Sequence, residues 1–267
     1  MKKRFLSLCL AFIFVLAALC SCVLHKDAFA FAPDCESGTL TLTYYLGNDR
    51  NVTVPSHHWG MPVRAIKGGS FLSTEYVTNI TLPDTVQALL PSAFAYLPKL
   101  ESVSLPDSLL TIGDRAFEYC ESLTSVRIPK NVTRVGERAF AGCSSLEKFE
   151  VATENATYCA KDGCLYTKDD KTFVAYALGK DTESFSVQNG TLTIGAYAFE
   201  GASLSSLTLP KTIEKICKNA FRGCTFISEL IFEGSTSDWY KINLENGWAD
   251  GSSIMYVRCS DGTISVR

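Results

Sequence analysis

Residues 124–146 read TSVRIPKNVTRVGERAFAGCSSL, and residues 101–123 directly before them read ESVSLPDSLLTIGDRAFEYCESL. Residues 78–100 give TNITLPDTVQALLPSAFAYLPKL, and 205–227 give SSLTLPKTIEKICKNAFRGCTFI. The first three units abut without a linker at a period of 23 residues. Self-similarity at a fixed period of this size marks a solenoid, because one unit cannot bury its apolar face alone and must stack on its neighbours.

The columns of the repeat assign its parts. Ile80/Leu82, Val103/Leu105, Val126/Ile128 and Leu207/Leu209 alternate with polar residues, which predicts a short strand with one buried face. Pro83, Pro106, Pro129 and Pro210 follow. Proline has no N–H for the ladder, so it ends the strand and turns the chain. Val86, Leu109, Val132 and Ile213, then Leu89, Ile112, Val135 and Ile216, continue the core columns. An Ala-Phe pair recurs at 93–94, 116–117, 139–140 and 220–221. The small Ala permits close approach, and the Phe rings are predicted to stack along the axis. Seven or so coils at the sheet spacing would extend roughly 35 Å.

Around the repeats, 38–77 reads as a divergent opening coil. It has alternating strands at 40–45 and 51–54, and a tail, Gly69-Ser70-Phe71, that matches the second half of the unit. Residues 147–187 break the period. Phe149-Glu150-Val151 is still a coil strand, and Tyr158 to Tyr166 reads as a hairpin turning at Asp162-Gly163. Further turns at Lys168–Lys171 and Gly179-Lys180 predict a small β-meander inserted in the stack. Repeats resume over 188–227, and 228–267 form a C-terminal cap. There a last strand precedes a short helix capped by Ser237 or Asp238, and the Trp residues are expected to close the end of the stack.

The N-terminus reads as a processing signal over residues 1–21. Lys2-Lys3-Arg4 is a basic start, and Phe5 to Leu19 is an apolar run of signal-peptide length. Leu19-Cys20-Ser21-Cys22 then resembles a bacterial lipobox, with Cys22 as the residue to be lipidated. A plain transmembrane anchor or an ordinary signal peptide are the alternatives. Several acyl chains on one residue hold a protein stably on a membrane. Residues 22–37 then read as a lipidated tether without periodicity, and 38–267 as a single solenoid domain.

Composition narrows the function. Hydrophobic residues make up 46% and charged residues 20%, a balance that supports a packed core. Net charge is −3, and loss of the three N-terminal cations with the signal segment would take it to −6. No basic run follows Arg4, which argues against nucleic-acid binding. His57 and His58 are adjacent, so on a strand they point to opposite faces and do not share a metal. No CxxC pairs, calcium loop or glycine-rich phosphate loop is present, and no His stands in a spacing that suggests an activated nucleophile. No metal, cofactor or enzyme activity is therefore expected. Cys120, Cys143 and Cys224 share one column and read as buried small residues. Cys159 and Cys164 flank the hairpin turn and could pair in an oxidising compartment.

The pattern strand–Leu-Pro-x-x-Leu-x-x-Ile-Gly-x-x-Ala-Phe-x-x-Cys-x-x-Leu, as in 101–123, resembles the BspA-like leucine-rich repeats of bacterial surface proteins over about 38–259. The Gly60-Met61-Pro62-Val63 coil, the Asp162-Gly163-Cys164-Leu165-Tyr166 hairpin and the ending from Gly234 to Trp239 are similar to that family too. Leu90 and Cys217 replace the repeat Gly, and Leu97 and Ala202 the repeat Cys. The resemblance implies a leucine-rich-repeat right-handed solenoid of the α/β horseshoe-like class. It would be mainly β with short helical turns and a parallel sheet on one face. It also implies adhesive or binding roles at cell surfaces, without naming a ligand.

The candidate binding surface is the wet side of the strand column, lined by Asn79/Thr81, Ser102/Ser104, Ser125/Arg127, Lys148/Glu150 and Ser206/Thr208. Short polar residues repeated along one direction suit a protein or glycan partner better than a small molecule in a deep pocket. The expected protein is a lipid-anchored component of the cell envelope, exposed at the outer surface. The alternative is a structural envelope protein that packs against itself or an envelope polymer.

Overall fold

The structure is a computed structural model that describes residues 28–266 apart from residue 73. The lipobox-like stretch and Cys22 lie outside the described residues. The chain opens with β1 (Phe29–Asp34) and β2 (Thr39–Tyr45), followed by β3 (Asn51–Thr53), β4 (His57–His58) and β5 (Met61–Ile66). The repeats then alternate a longer with a two-residue strand: β6 (Asn79–Thr81), β7 (Ala88–Leu89), β8 (Ser102–Ser104), β9 (Thr111–Ile112), β10 (Ser125–Ile128) and β11 (Arg134–Val135). Next come β12 (Lys148–Val151), β13 (Tyr158–Lys161), β14 (Cys164–Thr167), β15 (Thr172–Ala175) and β16 (Ser184–Ser186). The chain ends through β17 (Thr193–Ile194), β18 (Ser206–Leu209), β19 (Lys215–Ile216), β20 (Glu229–Phe232), helix α1 (Thr236–Trp239), β21 (Asn243–Leu244), β22 (Tyr256–Cys259) and β23 (Gly262–Ser265).

The result is a β-solenoid of about 9 turns with almost no helix. It has more turns than the seven or so read from the repeats, because the divergent segments at both ends also coil. Each turn contributes to two parallel sheets rather than one. Strands at the position of β6 and β8, which Pro83 and Pro106 close, form β3-β6-β8, β10-β12 and β16-β18-β20-β22, while those at the position of β7 and β9 form β2-β5-β7-β9-β11 and β15-β17-β19-β21. The second sheet arises because each Pro turn is followed by an apolar residue whose backbone pairs in register, as with Ala88↔Thr111 and Leu89↔Ile112. The repeat glycine is a matter of clearance: a Cβ on Gly113 would come within 2.7 Å of the Leu89 carbonyl oxygen.

Between the sheets the Phe column forms a ladder. Tyr45, Phe71, Phe94, Phe117 and Phe140 follow one another at ring-centroid distances of 5.5, 5.4, 5.4 and 5.3 Å. Phe173, Phe199 and Phe221 continue it in the C-terminal coils; Cys120 and Cys143 are fully buried beside the first run and Cys224 beside the second. Each thiol donates to a Phe carbonyl of the preceding coil, at 3.1 Å, on Phe94, Phe117 and Phe199 respectively.

The tether expected over 22–37 is in part a strand. β1 pairs antiparallel with β2, Phe29 against Tyr45 at its start and Asp34 against Thr39 at its end. Phe29 and Phe31 give it an apolar face, which packs on Tyr45 and His58 at 5.0 and 4.8 Å. The insertion is built into the stack, as expected, and reaches its core. β13 and β14 pair as the expected hairpin at Asp162-Gly163, but β14 runs through the middle of the stack. Cys164, Leu165 and Tyr166 are all fully buried. Leu165 joins the core of the N-terminal coils, whereas Cys164 and Tyr166 join that of the C-terminal coils. A strand buried on both faces needs a continuous apolar run, and this one divides the core in two. β15 and β16 are ordinary solenoid strands, paired in parallel with β17 and β18.

At the C-terminal end, helix α1 is capped by Ser235 rather than by Ser237 or Asp238. Ser235 and Asp238 form a reciprocal capping box. Trp239 is buried and packs on Phe232 and Trp248 at 5.4 and 5.8 Å, and Trp248 packs on Phe221 at 5.7 Å. The Trp residues thus close the ladder, as the sequence suggested. β23 then turns back antiparallel on β22.

Candidate functional site

The strand face carries the residues expected to bind. Register brings Asn51, Asn79 and Ser102 into one row and Thr53, Thr81 and Ser104 into the next. Asn79 donates to Asn51 and accepts from Ser102, so the first row is a hydrogen-bonded ladder of side chains. On the following pair Ser125 stands beside Lys148, and Arg127 beside Glu150. Lys148 and Glu150 form an ion pair at the surface. That pairing holds the Glu150 carboxyl below its usual range and raises the Lys148 ammonium above its own. Arg127 and Lys130 lie 3.9 and 3.3 Å from Asp107. Ser104, Asp107, Arg127, Lys130 and Asn131 line a shallow depression of about 520 Å³.

Ser206 and Thr208 do not join this group. They lie on the other half of the face, beside Ser184 and Ser186. The Asp162-Gly163 turn intervenes: Gly163 accepts from the Phe149 N–H at 2.8 Å, and Asp162 accepts from Gln188 Nε2 at 2.6 Å. A periodic sequence reading ran the column straight through the insertion, whereas the structure breaks it there.

A second site stands on the edge that carries the Ala-Phe pairs. Phe173 pairs with Ile194, and Tyr176 donates its N–H to the Ala198 carbonyl, as Phe94 does to Ala116. Tyr176 therefore holds the Phe position of its coil. The segment 173–176 spans what 194–199 spans in the next coil with two residues fewer. A notch of about 270 Å³ lies at this shortened coil, between residues of its two neighbours. Arg138, Phe140, Val174, Tyr176, Tyr197 and Glu200 are among the lining residues.

Polar groups bridge the gap. Arg138 Nη2 lies 2.9 Å from Glu118 Oε1, and its Nε lies 2.9 Å from Glu200 Oε2. Glu118 also accepts from the Tyr96 hydroxyl at 3.4 Å, and Arg222 lies 3.8 Å from Glu200. Lys218 reaches back to Glu137 at 3.0 Å. The Arg138 guanidinium sits 5.4 Å from the Tyr197 ring centre. Burial raises the Glu200 carboxyl above its usual range, with Arg138 and Arg222 opposing the shift. These residues were not singled out from the sequence. The only trace was an acid, Glu118 and Glu200, in a column that elsewhere carries Ala95, Ala141 and Arg222.

The thiols and histidines place as follows. Cys159 stands opposite Tyr166, and Cys164 opposite Lys161, so the two are offset along the hairpin and both are free thiols. Burial pushes the Cys159 and Cys164 thiols up to about 11. His57 and His58 form β4, which folds back on β5 through Trp59-Gly60. Among the described residues there is no group of three or more His, Cys, Asp or Glu that could hold a metal, and no helix long and apolar enough to cross a membrane.

Comparison with known proteins agrees with this architecture. The solved leucine-rich-repeat protein of T. pallidum is 23% identical, with a TM-score of 0.50, over 82% of this chain and 86% of that one. The pneumococcal vaccine antigen PcpA is 18% identical, with a TM-score of 0.52, over 88% and 81%. A leucine-rich-repeat protein from Eubacterium ventriosum is 17% identical, with a TM-score of 0.50, over 90% and 98%. These likenesses show the fold. No curated protein matches the sequence. The BspA type leucine rich repeat region matches in six copies, over residues 50–167 and 174–246. The chain belongs to the BspA-type leucine-rich-repeat family.

Proposed function

We propose that this chain is a lipid-anchored cell-surface scaffold that binds a protein or glycan partner along its strand face. The observation that carries the reading is the open row of polar strand residues, Ser102, Ser104, Ser125, Arg127, Lys148 and Glu150, beside the depression at Asp107 and Lys130. Such a face is rigid, repetitive and extended, which suits contact with a large partner. Membership of a repeat family of this type supports a binding role over a catalytic one. The Leu19-Cys20-Ser21-Cys22 stretch supports anchoring at Cys22. The alternative of an envelope protein that packs on its own kind is less favoured, because antiparallel strands close one sheet at either end of the stack.

Two experiments test the reading. Cys22→Ala is expected to move the protein from the membrane fraction to the soluble one, and retention with membranes would refute the anchor. Charge reversal at Arg127 and Lys148 is expected to weaken capture of extracellular protein or glycan by the full-length chain. Unchanged capture would remove this face from consideration.

A further inference from the structure

Two polar atoms in the edge notch, Arg138 Nε and Glu200 Oε2, are buried and make no hydrogen bond. They lie 2.9 Å apart, close enough for Coulomb attraction but out of line for an N–H···O bond. An unmade hydrogen bond on a buried charged group is costly, and a bound group that completes both would recover that cost. A single hydroxyl oxygen can do so, since it accepts from the N–H and donates to the carboxylate at once.

We propose that this notch is a subsite for one neutral pyranose unit of a glycan, held by a ring hydroxyl between Arg138 Nε and Glu200 Oε2. The proposal deepens the surface-binding reading above and rests on it. Charge selects the neutral class. Glu118, Glu137, Arg138, Glu200, Lys218 and Arg222 sum to zero, so carboxylates oppose an anion and cationic groups oppose a cation. Size agrees: about 270 Å³ is just below the usual range of small-molecule pockets and holds one ring rather than a chain. The walls agree as well. Phe140, Val174, Leu178 and the Tyr176 and Tyr197 rings offer apolar surface to the C–H faces of a pyranose, while the polar pair sits at one side. The notch opens on the Ala-Phe edge, so a longer glycan can project from it. The site lies beside the coil at 173–176, which is two residues shorter than the next coil.

The test uses the full-length protein in a detergent without sugar groups. Methyl glycosides of glucose, galactose and mannose, and N-acetylglucosamine, are screened by saturation-transfer NMR, with inorganic phosphate, read by phosphorus NMR line broadening and by the Arg138 Nε–H shift, as the anionic comparison. At least one glycoside is expected to bind and to shift the Arg138 Nε–H resonance, and phosphate is expected to do neither. Ala196→Phe fills the notch, with Ala141→Leu as the second filling variant, and each is checked by thermal melting. Sugar binding is expected to weaken about tenfold or more in a filled variant that still melts as the parent does. If no glycoside shifts the Arg138 signal of the folded parent, the notch is a water-filled gap only and the proposal falls. It falls equally if filling leaves sugar binding unchanged. The broader reading is judged separately: a filled variant that still captures its extracellular partner, while strand-face charge reversal abolishes capture, leaves that reading standing without this subsite.

Discussion

Phe117 has a ladder ring on either side, Phe94 at 5.4 Å and Phe140 at 5.3 Å, and is fully buried. Phe117→Ala removes both contacts and leaves a cavity that fixed neighbouring coils cannot collapse. It is expected to cost about 3–5 kcal/mol, read as a fall in the urea midpoint. Asn155 is a buried polar residue with its side chain fully used. Its amide donates to the Pro129 and Val132 carbonyls and accepts from the Thr157 and Tyr158 N–H groups. Asn155→Leu would orphan all four, so chemical melts are expected to show a loss of several kcal/mol. Glu200 yields a pH prediction. Its raised carboxyl keeps a proton that the unfolded chain has released, so between the ordinary value of 4.5 and the raised one stability falls as pH rises. Glu200→Gln is expected to flatten that fall in melts taken across the same range, and an unaltered profile would contradict it. The ladder was legible in the sequence because Phe recurs at fixed spacing. Asn155 and Arg138 were not, since Asn155 stands where the repeat has broken off and Arg138 acts through Glu200, on the far side of the insertion.

At the scale of elements, the hairpin of β13 and β14 departs furthest from a repeat reading. Its turn was visible as Asp162-Gly163, and the structure places both residues in the left-handed region, at φ 48 and 74°. Its position was not visible. The run Cys164-Leu165-Tyr166 carries three large or apolar residues in succession, which fits a strand buried on both faces, but the 23-residue unit has no column in which to place it. Gly163→Val strains the turn, and its Cβ would stand 3.2 Å from the Glu147 carbonyl oxygen. The substitution is expected to loosen the junction of the two cores, seen as faster amide exchange in β12, β13 and β14 before any change at β7 or β19. Uniform exchange across the chain would argue against a divided core. The two-residue contraction beside the notch was hidden for a related reason. It lies where the period is lost, so the alignment of columns that exposed everything else had nothing to compare.

Across the whole molecule, the parallel sheets would be open at both ends if every strand ran the same way. They are not. β1 lies antiparallel on β2 at one end, and β23 lies antiparallel on β22 at the other. The remaining outer strands, β3 and β21, are three and two residues long. A stack of like coils is a seed for its own polymer, and these reversed strands act as chain terminators. A second copy arriving at either end meets a strand of the wrong sense in one of the two sheets, and only a very short strand in the other. Deleting residues 28–37 removes one terminator and bares the β2 edge. Light scattering is expected to rise with concentration for that truncation and to stay flat for the parent chain.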